Sequence, residues 1–561
     1  MRHRVLSWVI VTLPLLVLAE RGWSRRHMSD DGYIHLRVVK QLLAGHGPVF
    51  NVGERVEAST SPLWVFILAV ADIVTPVRLE WIAVLLGLGL TLAGVTAAVV
   101  GARGLNRTRQ GVGVLVPAGL LLLAIYPPNW VYATSGLEGG LALGWLGACF
   151  VLLVRWTRQG QRPPAALAVV IGAGPLIRPD LGIFTLLFLL TLIVGTWGRT
   201  SAREQVRTVA LALAAPLLYE LFRLGYYASP VPNPAIAKEA TRARWDSGWG
   251  YLQRALNDYW IWFPLIVLAF GAYVPLFRRL TGRRDRRAAL VAAAFGLGGI
   301  VHALYVVRVG GDFMHARLLL PSLFAVAAPV AVVPLDRRYL LALLVVPWAL
   351  VALCFLPSPT DTRHFFFTAK ARPVTVEDFN WGRKGLASFY KGHGVYYNTT
   401  LLSARPAAGR DGAVVSYGIG ISSYALGTDV YVLDALGLAD PFTARLQLRV
   451  RGYPGHEKPL PAPWVVARLT SPGSSVDDKV FRGGLGWGIV PIDDPRGVAF
   501  DVRVDDARAA LECPALADLR RSYTAPLTLG RFIDNVAHAL GRSRLRIPPE
   551  PSVARARLCG A

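Results

Sequence analysis

Two adjacent carboxylates, Asp30 and Asp31, follow the first apolar run of the chain, residues 5–19. An apolar segment that ends in paired acids carries them to a membrane face, where they are costly to desolvate and repel each other. A carboxylate so placed can take a proton from a hydroxyl or attack an electrophilic carbon. The pair therefore points to an enzyme working on a lipid-borne substrate. The polar loop behind it adds His35, Arg37, Glu54, Arg55 and Glu57. A second loop, residues 223–259, holds Tyr226, Tyr227, Pro232-Asn233-Pro234, Lys238 and Glu239. In a third, Arg308-Val-Gly310-Gly311-Asp312-Phe313-Met314-His315-Ala316-Arg317, paired glycines let backbone approach a ligand amid Asp, His and Arg.

Group transfer from a lipid phosphate needs an acid–base or nucleophilic carboxylate, and cations that hold the departing phosphate. Asp30 and Asp31 suit the first role; Arg178, Lys238, His315 and Arg317 suit the second. Plainer roles compete. The acid pair could cap a loop and bind Arg25 or Arg26. Asp312 and Arg317 could close a helix hairpin as an ion pair, Arg178 and Asp180 could be structural, and Lys238 with Glu239 could be a solvated loop.

These side chains need elements to hold them. At 561 residues, 53% hydrophobic and 17% charged, the chain is too apolar for an ordinary soluble protein. The net charge of +24 is concentrated in short Arg-rich loops, which favours topology signals and anionic lipid head groups. No zinc-finger spacing, stacking motif or basic helix argues for a nucleic-acid partner. Arg clusters at Arg103/Arg107/Arg109, Arg155/Arg158/Arg162, Arg199/Arg203/Arg207, Arg278 to Arg287 and Arg337-Arg338 belong together on the cytoplasmic side with the N-terminus.

Apolar helices are expected near residues 5–20, 81–100, 111–127, 137–154, 165–178, 181–197, 206–222, 259–277, 288–307, 317–334 and 339–356, about eleven crossings. Met1-Arg2-His3-Arg4 and Val17-Leu18-Ala19 fit a cleavable leader, but the spans and the chemistry-bearing loop that follow favour an uncleaved first helix. Residues 63–75 are too short to cross, carry Asp72 and end before Pro76; they read as a re-entrant or interfacial helix.

Odd parity puts everything after residue 357 outside. The expected division is therefore a transmembrane catalytic domain, 1–357, with outer loop 21–80, and a periplasmic domain, 358–561. The latter reads as mixed α/β or β-rich and is a candidate for carbohydrate binding, with strands near 414–417, 430–433, 464–469 and 497–502 and helices near 507–512 and 531–540. Cys149 and Cys354 fall in apolar runs, whereas Cys513 and Cys559 could pair if their region is extracytoplasmic.

The stretch Asp30-Asp31-Gly-Tyr-Ile…Arg37…Gly45-His-Gly-Pro-Val-Phe-Asn-Val-Gly-Glu-Arg-Val-Glu57…Thr60-Ser61-Pro62-Leu63-Trp64 resembles the first outer loop of GT-C membrane glycosyltransferases. Gly310 to Arg317 is similar to a second motif of that superfamily. Asp434-Ala-Leu-Gly-Leu-Ala-Asp440-Pro441 and Pro454-Gly-His456-Glu457-Lys458…Pro463-Trp464 narrow the resemblance to the actinobacterial terminal β-(1→2)-arabinofuranosyltransferases. The likeness covers the whole chain; Ser59 and His315 stand where such a family is expected to vary.

The resemblance implies a GT-C bundle and decaprenylphosphoryl-β-D-arabinofuranose as donor. It implies the arabinan of arabinogalactan, or of lipoarabinomannan, as acceptor, and a β linkage made with net retention. It casts Asp30 and Asp31 as catalytic. Arg37, Arg178, Lys238, Asp312, His315 and Arg317 would hold the donor phosphate and sugar, and Glu57, His456, Glu457 and Trp464 the acceptor. No metal ligands are assigned and no cofactor is demanded, though a divalent cation at Asp30, Asp31 or Asp312 is compatible with the sequence. Membrane lipids are the remaining partner, and the implied location is the plasma (inner) membrane with the site outside. Competing readings are a mannosyl- or other pentosyltransferase of the same fold and a lipid-linked sugar transporter. Against the transporter, no inverted repeat is visible and the polar residues gather on one face.

Overall fold

The computed structural model describes residues 2–106, 114–159, 162–282, 285–355, 372–379, 413–452, 454–473 and 497–560. The expected domain boundary at 357/358 and Arg107, Arg109, Arg283 and Arg284 lie outside the described residues. Among those described, seven helices are long and apolar enough to cross a membrane: Leu79–Asn106, Gly139–Arg158, Pro179–Thr196, Ala202–Tyr227, Trp262–Thr281, Arg286–Val309 and Arg337–Cys354. The chain is a helical membrane protein. Shorter apolar helices occupy Pro62–Val74, Ala165–Ile177 and Arg317–Val330, and the first helix, Arg2–Ser24, covers the expected 5–20.

Three expected spans are not of spanning length: those at 165–178 and 317–334 are the shorter helices Ala165–Ile177 and Arg317–Val330, and the third is broken. In place of a helix over 111–127 the chain forms a two-residue strand, Leu115–Val116, then the eight-residue helix Ala118–Ile125. Pro117 sits at its start, and Pro127-Pro128 opens a separate helix, Pro127–Tyr132, so no continuous helix can form. Pro62–Val74 is a 13-residue helix, about 20 Å long at 1.5 Å per residue and short of a ~30 Å hydrocarbon core.

Leu79–Asn106 and Gly139–Gln159 pack closely because glycines meet at the contact. A Cβ at Gly140 would strike Gly87, and one at Gly147 would strike Gly94. Both helices repeat their small residue at a spacing of seven, so the backbones approach along one seam. This contact fixes where Gly139–Gln159 begins, and hence Glu138 just ahead of it.

The C-terminal portion is more helical than expected. The strands near 414–417 and 430–433 are present, as Val414–Ser416 pairing in parallel with Val432–Asp434. The strand expected at 464–469 is instead the helix Ala462–Leu469, and 497–502 leads into the helix Phe500–Leu511. Pro463 at the first helical turn starts the former, overriding the β-branched Val465-Val466 pair. The helices expected near 507–512 and 531–540 fall within Phe500–Leu511 and Leu529–Arg544. Cys513 and Cys559 form a disulfide that staples Pro514–Thr524 to the chain end behind Pro551–Leu558.

Residues Val414, Ile419, Ile421, Leu426, Val432 and Ala439 join the apolar core of the bundle, whereas Trp464, Leu460, Val466 and Ala507 build a second core. The contact between the two portions is intimate. A Cβ at Gly420 would collide with the Asp30 carbonyl oxygen, so only glycine permits this approach.

Candidate active site

Ser29 starts the helix Asp30–Leu43. Its extended backbone and its Oγ, accepting from Gly32 N at 3.1 Å, cap the first turn, where the two acids sit against the positive end of the helix. The acids then diverge. Asp30 accepts from Gly420 N (3.1 Å) and Ile421 N (2.9 Å), the amides at the start of Ile419–Leu426. Burial, reinforced by the Asp31 charge, pushes the Asp30 carboxyl up to about 6 against those amides. Asp31 instead faces Arg317 Nη1 at 4.0 Å. Neither acid closes on Arg25 or Arg26 as the plainer reading expected; those guanidinium groups stack on Trp130 and Trp23.

Arg317 is the hub. Its Nη2 pairs with Asp312 at 2.7 Å, and Lys238 Nζ stands 3.9 Å from the other Asp312 oxygen. Burial would raise the Asp312 carboxyl, but Arg317 and Lys238 hold it below the usual carboxylate range. Gly310 and Gly311, both at positive φ (94° and 74°), turn the chain out of Arg286–Val309 to place Asp312. Ala316, a non-glycine residue at φ 58°, turns it again just before Arg317. His456 is exposed beside this cluster, its ring edge-on to Phe313 at 5.1 Å, and desolvation keeps its pKa below the ordinary value.

Arg317 also borders a cleft lined by Tyr132, Glu138, Arg178, Leu320 and Pro321. Arg178 pairs with Asp180 at 2.5 Å and approaches Glu138 at 3.8 Å. His302 bonds Asp180 at 2.7 Å from one ring nitrogen and Ser322 at 2.7 Å from the other. On the opposite flank His35 links Ser59 (2.8 Å) to Glu138 (3.5 Å). Burial would raise Glu138, but the His35 hydrogen bond and Arg178 hold it well below the usual range. Among the described residues nothing hydrogen-bonds the buried Tyr132 Oη or Arg317 Nε. Glu138 and Tyr132 went unnoticed in the sequence, although an acid at the threshold of an apolar run is the signal that singled out Asp30.

Several expected ligand residues are placed elsewhere. Arg37 is buried, and its guanidinium donates to the carbonyls of Phe50, Ser423, Gly427 and Val430 at 2.5–2.8 Å. Glu57 is buried against Arg223 (2.6 Å) and Tyr219 (2.7 Å). Glu457 is held by Arg244 at 3.1 Å and accepts from Gly452 N. Trp464 is wholly buried, with its Nε1 on Pro549 O at 2.8 Å and its ring against Phe442. All four side chains are buried and engaged by protein partners. His315 lies beside Asp258 (3.6 Å) and Tyr259 instead of the Arg317 cluster. Glu239 is no solvated loop residue: it is buried with Lys458 at 3.2 Å. The motif from Asp434 to Asp440 is a brace. Asp440 pairs with Arg468 at 2.6 Å, and Asn233 Nδ2 donates to Gly437 O and Leu438 O. No group of three or more His, Cys, Asp or Glu among the described residues is arranged to hold a metal.

A carboxylate set against a cationic cluster at the end of an apolar helical bundle is the equipment of a membrane glycosyltransferase. Residues 491–556 match the AftB family C-terminal domain. The chain is 33% identical to the terminal β-(1→2)-arabinofuranosyltransferase of Mycobacterium tuberculosis, over 99% of this chain and 98% of that one. It is likewise 33% identical to the enzyme of the same name from Corynebacterium glutamicum, over 94% of this chain and 84% of the relative. No solved structure matches. The chain belongs to the terminal β-(1→2)-arabinofuranosyltransferase family.

Proposed function

We propose that the protein transfers an arabinofuranosyl residue from decaprenylphosphoryl-β-D-arabinofuranose to the non-reducing ends of cell-wall arabinan, forming terminal β-(1→2) linkages. The observation that carries this reading is kinship along essentially the whole chain with two enzymes of that name. The geometry supplies roles. Asp31 is the acid that acts on the sugar or on the acceptor hydroxyl, as nucleophile or base. Arg317, Arg178 and Lys238 neutralise the phosphate as it departs with the lipid. Asp30 positions Asp31 by holding the C-terminal portion in place, and His456 stands on the acceptor side of the cluster. No resident cofactor enters the scheme.

A β product from a β donor means retention, through either a glycosyl–Asp31 intermediate or front-face exchange. We place the site and the C-terminal portion on the extracytoplasmic face of the plasma membrane. The Cys513–Cys559 disulfide supports that side, since such bonds persist in oxidising compartments. Incubation with synthetic polyprenylphosphoryl arabinofuranose and an oligoarabinoside, followed by linkage analysis, tests the reading. A new terminal β-(1→2) arabinofuranose is expected. Transfer of another sugar alone would reject it.

A further inference from the structure

The helix Leu529–Arg544 packs against the end of the span Ala202–Tyr227. Phe532 lies directly on Gly225, leaving no room for a Cβ there, and Asn535 Nδ2 donates to Gly225 O at 2.8 Å. That seats one face of the helix. Another face is uncovered: Leu529 (77% exposed), Ile533 (59%) and Leu540 (55%), with exposed Ala537 between them. Their spacing of four, four and three puts them in a single stripe. Leu527, just before the helix, is exposed too. The polar residues Asp534, His538 and Arg542 occupy the side away from the stripe, where Arg542 binds Asp518 and Asp534.

The neighbouring span says what covers this stripe. On Ala202–Tyr227, Val206, Leu217, Leu218 and Leu221 are all exposed, as the lipid-facing side of a crossing helix must be. From Val206 to Gly225 the helix rises about 29 Å at 1.5 Å per residue, about one hydrocarbon thickness. The contact at Gly225 therefore sits at the bilayer boundary, one helical turn beyond Leu221. An amphipathic helix at that height, continuous with a lipid-facing surface, is seated as interfacial helices are. Arg544 ends the stripe, exposed and long enough to reach lipid phosphates.

We propose that Leu529–Arg544 lies in the membrane interface, its apolar stripe among the acyl chains, and so ties the C-terminal portion to the lipid surface. This goes beyond the transfer reaction and does not depend on it. The test uses the full chain carrying Cys149→Ala and Cys354→Ala, reconstituted in vesicles of phosphatidylethanolamine and phosphatidylglycerol. Nitroxide labels are placed singly through Ile533→Cys, Leu540→Cys and His538→Cys. Labels at 533 and 540 should collide more with oxygen than with a water-soluble nickel chelate, and the label at 538 the reverse. Preferential chelate access at 533 and 540 would overturn the proposal. So would dipolar broadening between labels at 533, since a second copy of the chain would then be covering the stripe.

Discussion

Arg37, which is buried, and Arg317, which is partly buried, both serve the region of the acid pair, and the protein treats them in opposite ways. Arg37 has all three guanidinium nitrogens donating to protein carbonyls, three of these on the segment from Ser423 to Val430. With Asp30 on the amides of Ile419–Leu426 and Arg37 on carbonyls at and beyond its far end, both poles of that helix are matched by charge. Arg317 keeps one acid at 2.7 Å and another at 4.0 Å, and its Nε is unmatched beside an equally unmatched Tyr132 hydroxyl. Buried polar atoms are nearly always paired, so the two open groups beside the cleft agree with the substrate contacts proposed there. The first region ties the tail to the bundle; the second is where we propose that the substrate binds.

The largest effect expected is at Asp31. Asp31→Asn should slow transfer to an oligoarabinoside by about 10²–10⁴-fold, the usual worth of a positioned acid or base, with the protein still folded. A rate near wild type in the purified variant removes Asp31 from the chemistry. Next, Arg317→Gln should cost about 10²–10³-fold in kcat, the scale for losing one charge-stabilising donor, with Arg317→Lys recovering part of it. Equal losses at Arg317 and Arg37 per folded molecule would erase the contrast between the two sites.

Arg37→Met should instead act on stability. It strands several buried carbonyls at about 1–3 kcal/mol each, read as a lower unfolding temperature, while the folded fraction keeps its turnover. Smallest is Asp30→Asn, expected to cost about tenfold or less in rate, below the Asp31 loss. Its signature is pH dependence. The folded carboxyl is raised from 3.8 to about 6, so its contribution to docking is full below 3.8 and is lost as pH rises through about 6. Protection from hydrogen exchange at Ile419–Leu426, relative to the intrinsic rate at each pH, should therefore fall across that interval in the parent protein and stay flat in Asp30→Asn.

Much of the bundle was legible because apolar runs of spanning length have few alternatives in water. The span expected at 111–127 failed because prolines divide that apolar run into two helices, each too short to cross. In the proposed site, Asp31, Arg317 and Arg178 were readable as charges at the ends of apolar runs and Lys238 as a cation in the loop 223–259. Tyr132 and Glu138 were not, because the turn between them was read as a gap and Glu138 as the start of a span. Arg37, Glu57, Glu457 and Trp464, expected to face ligands, are instead bonded within the protein. Residue type reveals reach and charge, but whether a guanidinium meets a phosphate or a carbonyl depends on chain nearly 400 positions away, as Arg37 and Ser423 illustrate.

The glycine at 420 settles what could be exchanged between relatives. Because a methyl group there would run into the backbone of Asp30, the interface tolerates little drift in register on either side. A chimera cut between bundle and tail would pair surfaces shaped separately. The transplantable module is the tail together with the outer-loop helix Asp30–Leu43, moved as one piece.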